Sequence, residues 1–262
     1  MDKNAKVFDL SGLTMVLIGL IVNFIMSFIG GGLGGLSSNP GLIPGVKLTA
    51  DQVAISGYVG IAVMAAMWIL IIVGLAKASK YSSHYKGALI ALIIAIIYEV
   101  VLAGGVYYMT GKSGGTAELI GNKTYLIGFA AASLIGLIIS IIYNRKLIMG
   151  CADLAGANGE TELVRKCRGT WMFYLFSMIL LIIGLAAMGA GYKFLIEVFN
   201  HKDNLDALNL DIWAIPVFAG GILVMLSVFL QLIAQLRIIF RVSGVRKALN
   251  GKSFPIGYKA AA

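Results

Sequence analysis

Runs without charge divide the chain before anything else is counted. Residues 10–46, 52–76, 124–144, 169–192 and 212–236 contain no Asp, Glu, Lys or Arg, and residues 87–111 contain one, Glu99. A bilayer core of about 30 Å takes about 20 apolar residues in a helix rising 1.5 Å per residue. Every run except the first fits one such helix. The first is too long, and its second half is crowded with Gly30, Gly31, Gly32, Gly34, Gly35, Pro40, Gly41, Pro44 and Gly45. Clusters of this kind punctuate helices. The pattern therefore predicts an all-α, polytopic membrane protein, a bundle of six transmembrane helices over about 11–33, 53–76, 87–110, 124–144, 171–193 and 213–238. Ser11 is placed to cap the first helix, and an external loop is expected after it.

Composition narrows this further. Of the 262 residues 59% are apolar and 13% charged, against roughly a quarter charged in soluble domains. A soluble globular domain and a disordered chain are both excluded. The net charge of +9 would suggest a nucleic-acid partner in a soluble protein, so the location of the bases decides its meaning. Only Lys47, Lys112, Lys123, Lys193 and Lys202 of the 21 Lys and Arg fall in one set of loops. The rest fall in the N-terminal segment, around 77–86, around 145–168 and after 236. Because Lys and Arg mark the cytoplasmic side, both termini are expected there, in a multi-pass protein of the cell membrane. The charge reports orientation and gives no support for nucleic acid.

The segments between spans carry their own signals. Residues 1–241 read as one six-helix domain with a cytoplasmic hairpin near 145–168, turned at Asn158 and Gly159, with Glu160 and Glu162 suiting the start of the returning helix. Residues 242–262 read as a basic cytoplasmic tail, in which Val242, Val245 and Leu249 beside Arg246 and Lys247 suit contact with anionic lipid. On the outside, Asp203, Asn204, Asp206, Asn209 and Asp211 miss the ligand order of a calcium loop and read as a solvated face. The first apolar run is longer than a signal-peptide core and has no distinct cleavage site, which favours an uncleaved helix. Cys151 and Cys167 flank the hairpin turn at similar distances, without the His or further Cys of a metal site.

Transmembrane helices associate through small residues that let backbones approach. The fourth span reads Gly128, Ala132, Gly136, Ser140, and the third reads Ala91, Ala95, Glu99, Ala103, Tyr107. Helix packing is the ordinary meaning of such stripes, within the chain, in a homo-oligomer or against another membrane protein.

Glu99 is the exception to the apolar pattern. It stands twelve residues beyond Gly87, about 18 Å along the axis, near the middle of a span. An ionised carboxylate there is costly in lipid, so Glu99 is expected to face the bundle interior. No Lys, Arg or His lies at that depth, and desolvation without a cation favours the protonated carboxyl. Depth suggests Asn23, Ser27, Tyr58, Ser133 and Tyr107 as hydrogen-bond partners, with Glu99, Asn23, Ser27 and Tyr107 the core of a ligand or proton site. A neutral hydrogen-bonded clamp between helices uses the same residues.

Catalysis finds little support. His84 and His201 fall on opposite sides of the predicted membrane, no G-x-S-x-G or phosphate-loop motif is present, and carboxylates are not paired. Gly30 to Gly35 mimic a dinucleotide loop but end a membrane helix instead of joining a strand to a helix. No enzyme, cofactor or metal is expected. Two functions remain: a transporter or membrane-embedded solute-binding protein with Glu99 as proton or cation site, for which an enclosed polar cavity is expected, or a non-catalytic scaffold or assembly factor.

Overall fold

The computed structural model describes the backbone of residues 8–38, 50–112, 123–194, 212 and 214–252, and the side chains of 8–27, 58–109, 125, 127–194, 212 and 214–252. Six long helices account for almost all of it: α1 (Ser11–Ser38), α2 (Ala50–Ala78), α3 (Ser83–Lys112), α4 (Lys123–Ala157), α5 (Thr161–Ala190) and α6 (Ala214–Leu249). No strand occurs among the described residues. The outer acidic cluster, His201, most of the Gly and Pro segment after Ser38, and the last ten residues lie outside the described part.

Two boundaries differ from the expectation. α1 does not stop near residue 33 but runs through its glycines to Ser38. Where water cannot satisfy backbone groups, a helix persists through residues that would break it in solution. Its cap also differs: Asp9, not Ser11, accepts the Ser11 backbone N–H at 3.0 Å, while the Ser11 hydroxyl accepts a bond from Lys77 at 3.4 Å.

The chain divides into two compact units. The first comprises Met1–Leu89, Lys146–Arg168 and Gln235–Ala262, and the second Ile90–Arg145 and Gly169–Ala234. In the first unit α1 and α2 cross at a pair of glycines. A Cβ on Gly12 would lie 2.8 Å from the Gly74 carbonyl oxygen, and one on Gly74 would lie 2.7 Å from the Gly12 carbonyl oxygen and 2.8 Å from the Val16 backbone nitrogen. Only hydrogen fits at such a crossing. Beyond it, the start of α3, the two arms of the α4–α5 hairpin and the end of α6 enclose a core of Tyr85, Leu147, Ile148, Cys151, Leu154, Cys167, Val242, Val245 and Leu249. The apolar stripe of the expected tail is therefore part of α6 and buried, leaving Arg246 and Lys247 of its last turn for any lipid contact. The Tyr85 ring lies against Gly150, and its hydroxyl donates to Cys151 Sγ at 3.4 Å. Both cysteines are free thiols.

Polar contacts fasten this unit at its loops. The hairpin turns at Asn158 and Gly159, the latter with φ of 75°, which glycine adopts without steric cost. Ser82 caps α3, accepting the His84 N–H at 3.2 Å while its hydroxyl donates to Asp153 at 2.6 Å. Lys252 pairs with Glu160 at 3.0 Å, and its carbonyl accepts the Phe8 N–H at 3.3 Å. Asp9 pairs with Lys80 at 3.2 Å. Hydrogen bonds from the Ser11 hydroxyl and N–H, then from Lys80, hold the Asp9 carboxyl down to about 2.

Since that value lies below the ordinary carboxyl range, Asp9 favours the folded state wherever it is ionised in the unfolded chain, and loses that effect as pH falls through the folded value. The difference in thermal midpoint between wild type and Asp9→Asn is expected to be present at neutral pH and to shrink between about pH 4 and about pH 2. Thermal unfolding scans of both proteins across that range check it; a constant difference would show that Asp9 acts without titrating.

The second unit holds a second glycine crossing, between α5 and α6. A Cβ on Gly220 would lie 2.6 Å from the Gly184 carbonyl oxygen and 2.8 Å from the Met188 backbone nitrogen. One on Gly184 would lie 2.9 Å from the Gly220 carbonyl oxygen. α3 and α4 meet where the Tyr98 hydroxyl donates to the Ala132 carbonyl and its ring covers Gly136. α4 and α5 meet where Ser140 and the Tyr174 hydroxyl share a bond of 3.0 Å, and Asn144 donates to that hydroxyl at 3.0 Å.

Candidate functional site

Glu99 sits on the part of α3 that belongs to the second unit, and there it is exposed. This corrects the expectation that it faces an interior. α3 is apolar nearly all round, so the cost of exposing one side rather than another is small, and helix contacts decide its rotation. Tyr98, one residue earlier, takes the α4 contact, which turns Glu99 away by about 100°.

The residues on that outer side are informative. Glu99, Leu102, Ala103, Val106 and Tyr107 of α3 and Phe129 of α4 line an open groove of about 530 Å³. Spacing explains why: 99, 103 and 107 are successive turns of one face, and 102 and 106 flank them. The exposed wall is almost wholly apolar, and the Glu99 carboxyl and Tyr107 hydroxyl add very little polar surface to it. The groove is not the enclosed polar cavity expected of a transport site. Glu99 and Tyr107 stand two turns apart, about 12 Å along the axis, so an apolar cation broad enough to reach both would gain charge neutralisation and attraction to the ring.

Of the other expected neighbours, Asn23, Ser27 and Tyr58 belong to the first unit and Ser133 to the second. Asn23 and Ser27 are on α1 in the first unit, where the Ser27 hydroxyl donates to the Asn23 backbone carbonyl at 2.9 Å, a local bond within the helix. Tyr58 is an exposed residue of α2, and Ser133 is half-buried on α4.

Of the packing stripe on α4, Ala132, Gly136 and Ser140 meet Tyr98 and Tyr174, whereas Gly128 has open space where a Cβ would point. On α3, Ala91 is buried, Ala95 half-buried and Ala103 exposed in the groove. Gly104 and Gly105 are open as well. The four crossing glycines, Gly12, Gly74, Gly184 and Gly220, lie outside the small-residue stripes of the third and fourth spans, and Gly19 of α1 packs against Ile71 and Met67 of α2 in the same way. The Ser140, Asn144 and Tyr174 cluster was likewise missed as a cluster. Its members come from two helices, and only a polar residue at the edge of each apolar run hinted at it.

Among the described residues no group of three His, Cys, Asp or Glu is arranged to hold a metal ion. Five helices among them are long and apolar enough to cross a membrane, in Tyr58–Ala78, Ser83–Met109, Ile127–Ala157, Thr161–Ala190 and Ala214–Leu249. With large apolar side chains exposed along all of these helices, length and composition are those of a helical, multi-pass membrane protein. No family model matches the chain, and no curated protein or solved structure resembles it.

Proposed function

We propose that the chain is a six-span protein of the cell membrane with both termini cytoplasmic, of transporter or membrane-embedded solute-binding type. In this reading its groove takes a small cationic solute on Glu99. The carrying observation is the groove shared by Glu99, Tyr107 and Phe129, where a cation arriving from the lipid side would draw the Glu99 carboxyl into its ionised form among apolar and aromatic side chains. The asymmetric placement of Lys and Arg supports the orientation. A proton site is the minimal form of the same chemistry.

Tetraphenylphosphonium is a suitable probe, being apolar and singly charged. Wild type in detergent is expected to bind it, and Glu99→Gln to weaken binding by about tenfold or more while unfolding at the same temperature. Equilibrium dialysis with the labelled probe measures this; equal binding by the two proteins, or none by wild type, sinks the solute reading.

A specific observation favours a second reading, that of an assembly factor. Gly104, Gly105 and Gly128 are open, as contact positions for a helix of another chain would be. That reading expects Glu99→Gln to be nearly silent and Gly128→Leu to break up a complex seen on native gels.

A further inference from the structure

The second unit carries little charge. Of its described side chains only Glu99, Arg145 and Lys193 are charged, and exposed Arg145 forms no ion pair among the described residues. It is nevertheless held in place. Its guanidinium lies over the Trp171 ring, 5.9 Å from the centroid, so the residue that ends the uncharged run of α4 meets the start of the uncharged run of α5. Trp171 is stacked in turn on Tyr174, with centroids 6.0 Å apart and planes at 30°. Tyr174 is buried, and its hydroxyl shares a bond of 3.0 Å with Ser140 of α4 and accepts one of 3.0 Å from Asn144. Every member of this chain of contacts belongs to the second unit. Attraction to a ring face acts on the charge of a guanidinium and uses up none of its N–H donors. Neither the guanidinium nor the Trp171 indole N–H has an acceptor among the described residues. An arginine already held loses less freedom when an anion arrives, and its fork of donors matches two oxygens of a phosphate.

The surroundings say which phosphate. On α4, exposed Ile142 and Ile138 stand one and two turns before Arg145 on the same face. On α5, exposed Ile179 stands two turns beyond Trp171. All three isoleucines belong to the same unit as the pair. An arginine and a tryptophan at the end of lipid-facing apolar faces lie at the depth of phospholipid headgroups. A free phosphate would use the guanidinium but gain nothing from the isoleucines. We infer that Arg145, held against Trp171, binds the phosphate of an anionic phospholipid whose acyl chains lie along Ile138, Ile142 and Ile179. This is independent of Glu99 and of the solute reading.

Trp171 is also the reporter. With Trp68→Phe and Trp213→Phe it is the only tryptophan of the full chain. That protein is placed in dodecyl maltoside micelles with equal amounts of phosphatidylglycerol and phosphatidylcholine, one or the other brominated high on its acyl chains, and quenching of Trp171 emission reads which lipid stands beside it. Phosphatidylglycerol is expected to hold the position about fivefold more strongly. The preference should fall to near parity in Arg145→Gln and persist in Lys193→Gln, which removes the other described cation of this unit. Native mass spectrometry of the unaltered protein needs no substitution and should show phosphatidylglycerol retained over phosphatidylcholine. Equal quenching or equal retention of the two lipids overturns the proposal. So does a preference that is unchanged in Arg145→Gln or lost in Lys193→Gln. Loss of the preference on adding millimolar inorganic phosphate at constant ionic strength overturns it as well, and would make this a site for free phosphate.

Discussion

Gly220→Leu is expected to destabilise the protein by about 3 kcal/mol or more, the upper range for overpacking a tight contact. The reason is what a side chain there would meet. At 2.6 Å from the Gly184 carbonyl oxygen and 2.8 Å from the Met188 nitrogen, even a Cβ strikes backbone, which cannot swing aside as a side-chain tip would. α5 and α6 must separate, and in lipid they have little hydrophobic drive to re-form a contact elsewhere. Gly221→Leu is the control: nothing stands within 4 Å of a Cβ at that position, and the change should stay within about 0.5 kcal/mol. Unfolding in mixed micelles, followed by circular dichroism, separates the two. Equal stability of both variants would mean that the crossing is not held as close as it stands.

Tyr85→Ala is expected to cost about 3 to 5 kcal/mol, as removing a large buried ring does. Tyr85 is 0% exposed and fills the space between the start of α3 and Gly150 of α4, so its loss leaves a cavity that the helices cannot close without moving. Tyr85→Phe keeps the ring and loses only the bond to Cys151, for about 1 kcal/mol. The neighbouring thiol supplies a second readout. Cys151, 1% exposed, should be slow towards a water-soluble maleimide in wild type and in Tyr85→Phe, and much faster in Tyr85→Ala. If the alanine variant keeps both its stability and a protected thiol, the ring does not support the core.

How much of this was legible beforehand depended on what kind of information the chain carries. The uncharged runs located the middles of the helices, because the absence of charge over about 20 residues has few other physical explanations. They said little about the ends, since α4 and α6 continue well into charged sequence, where burial of Leu147, Ile148, Val242 and Val245 replaces lipid as the stabilising surroundings. Rotation was the larger gap. A helix apolar on every side gives no periodic signal for which face meets protein, so Glu99 was assigned inward by cost alone and the contact made by Tyr98 decided otherwise. The groove partner Tyr107 was recoverable from its spacing to Glu99, while Phe129 required knowing that α3 and α4 pair. Asn23 and Ser27 were chosen by depth, a coordinate that every helix of a bundle shares.

The first unit also has a bearing on how the protein is made. Its core draws on the first helices, on the hairpin between α4 and α5, and on Val242, Val245 and Leu249 near the far end of the chain, with Phe8 bonded to Lys252. During translation the N-terminal helices therefore leave the ribosome long before the residues that complete their packing. Until α6 has been synthesised, Tyr85 and its neighbours have no finished interior to occupy, so this half of the molecule must wait in the membrane as an open, unsealed assembly that the last helix closes.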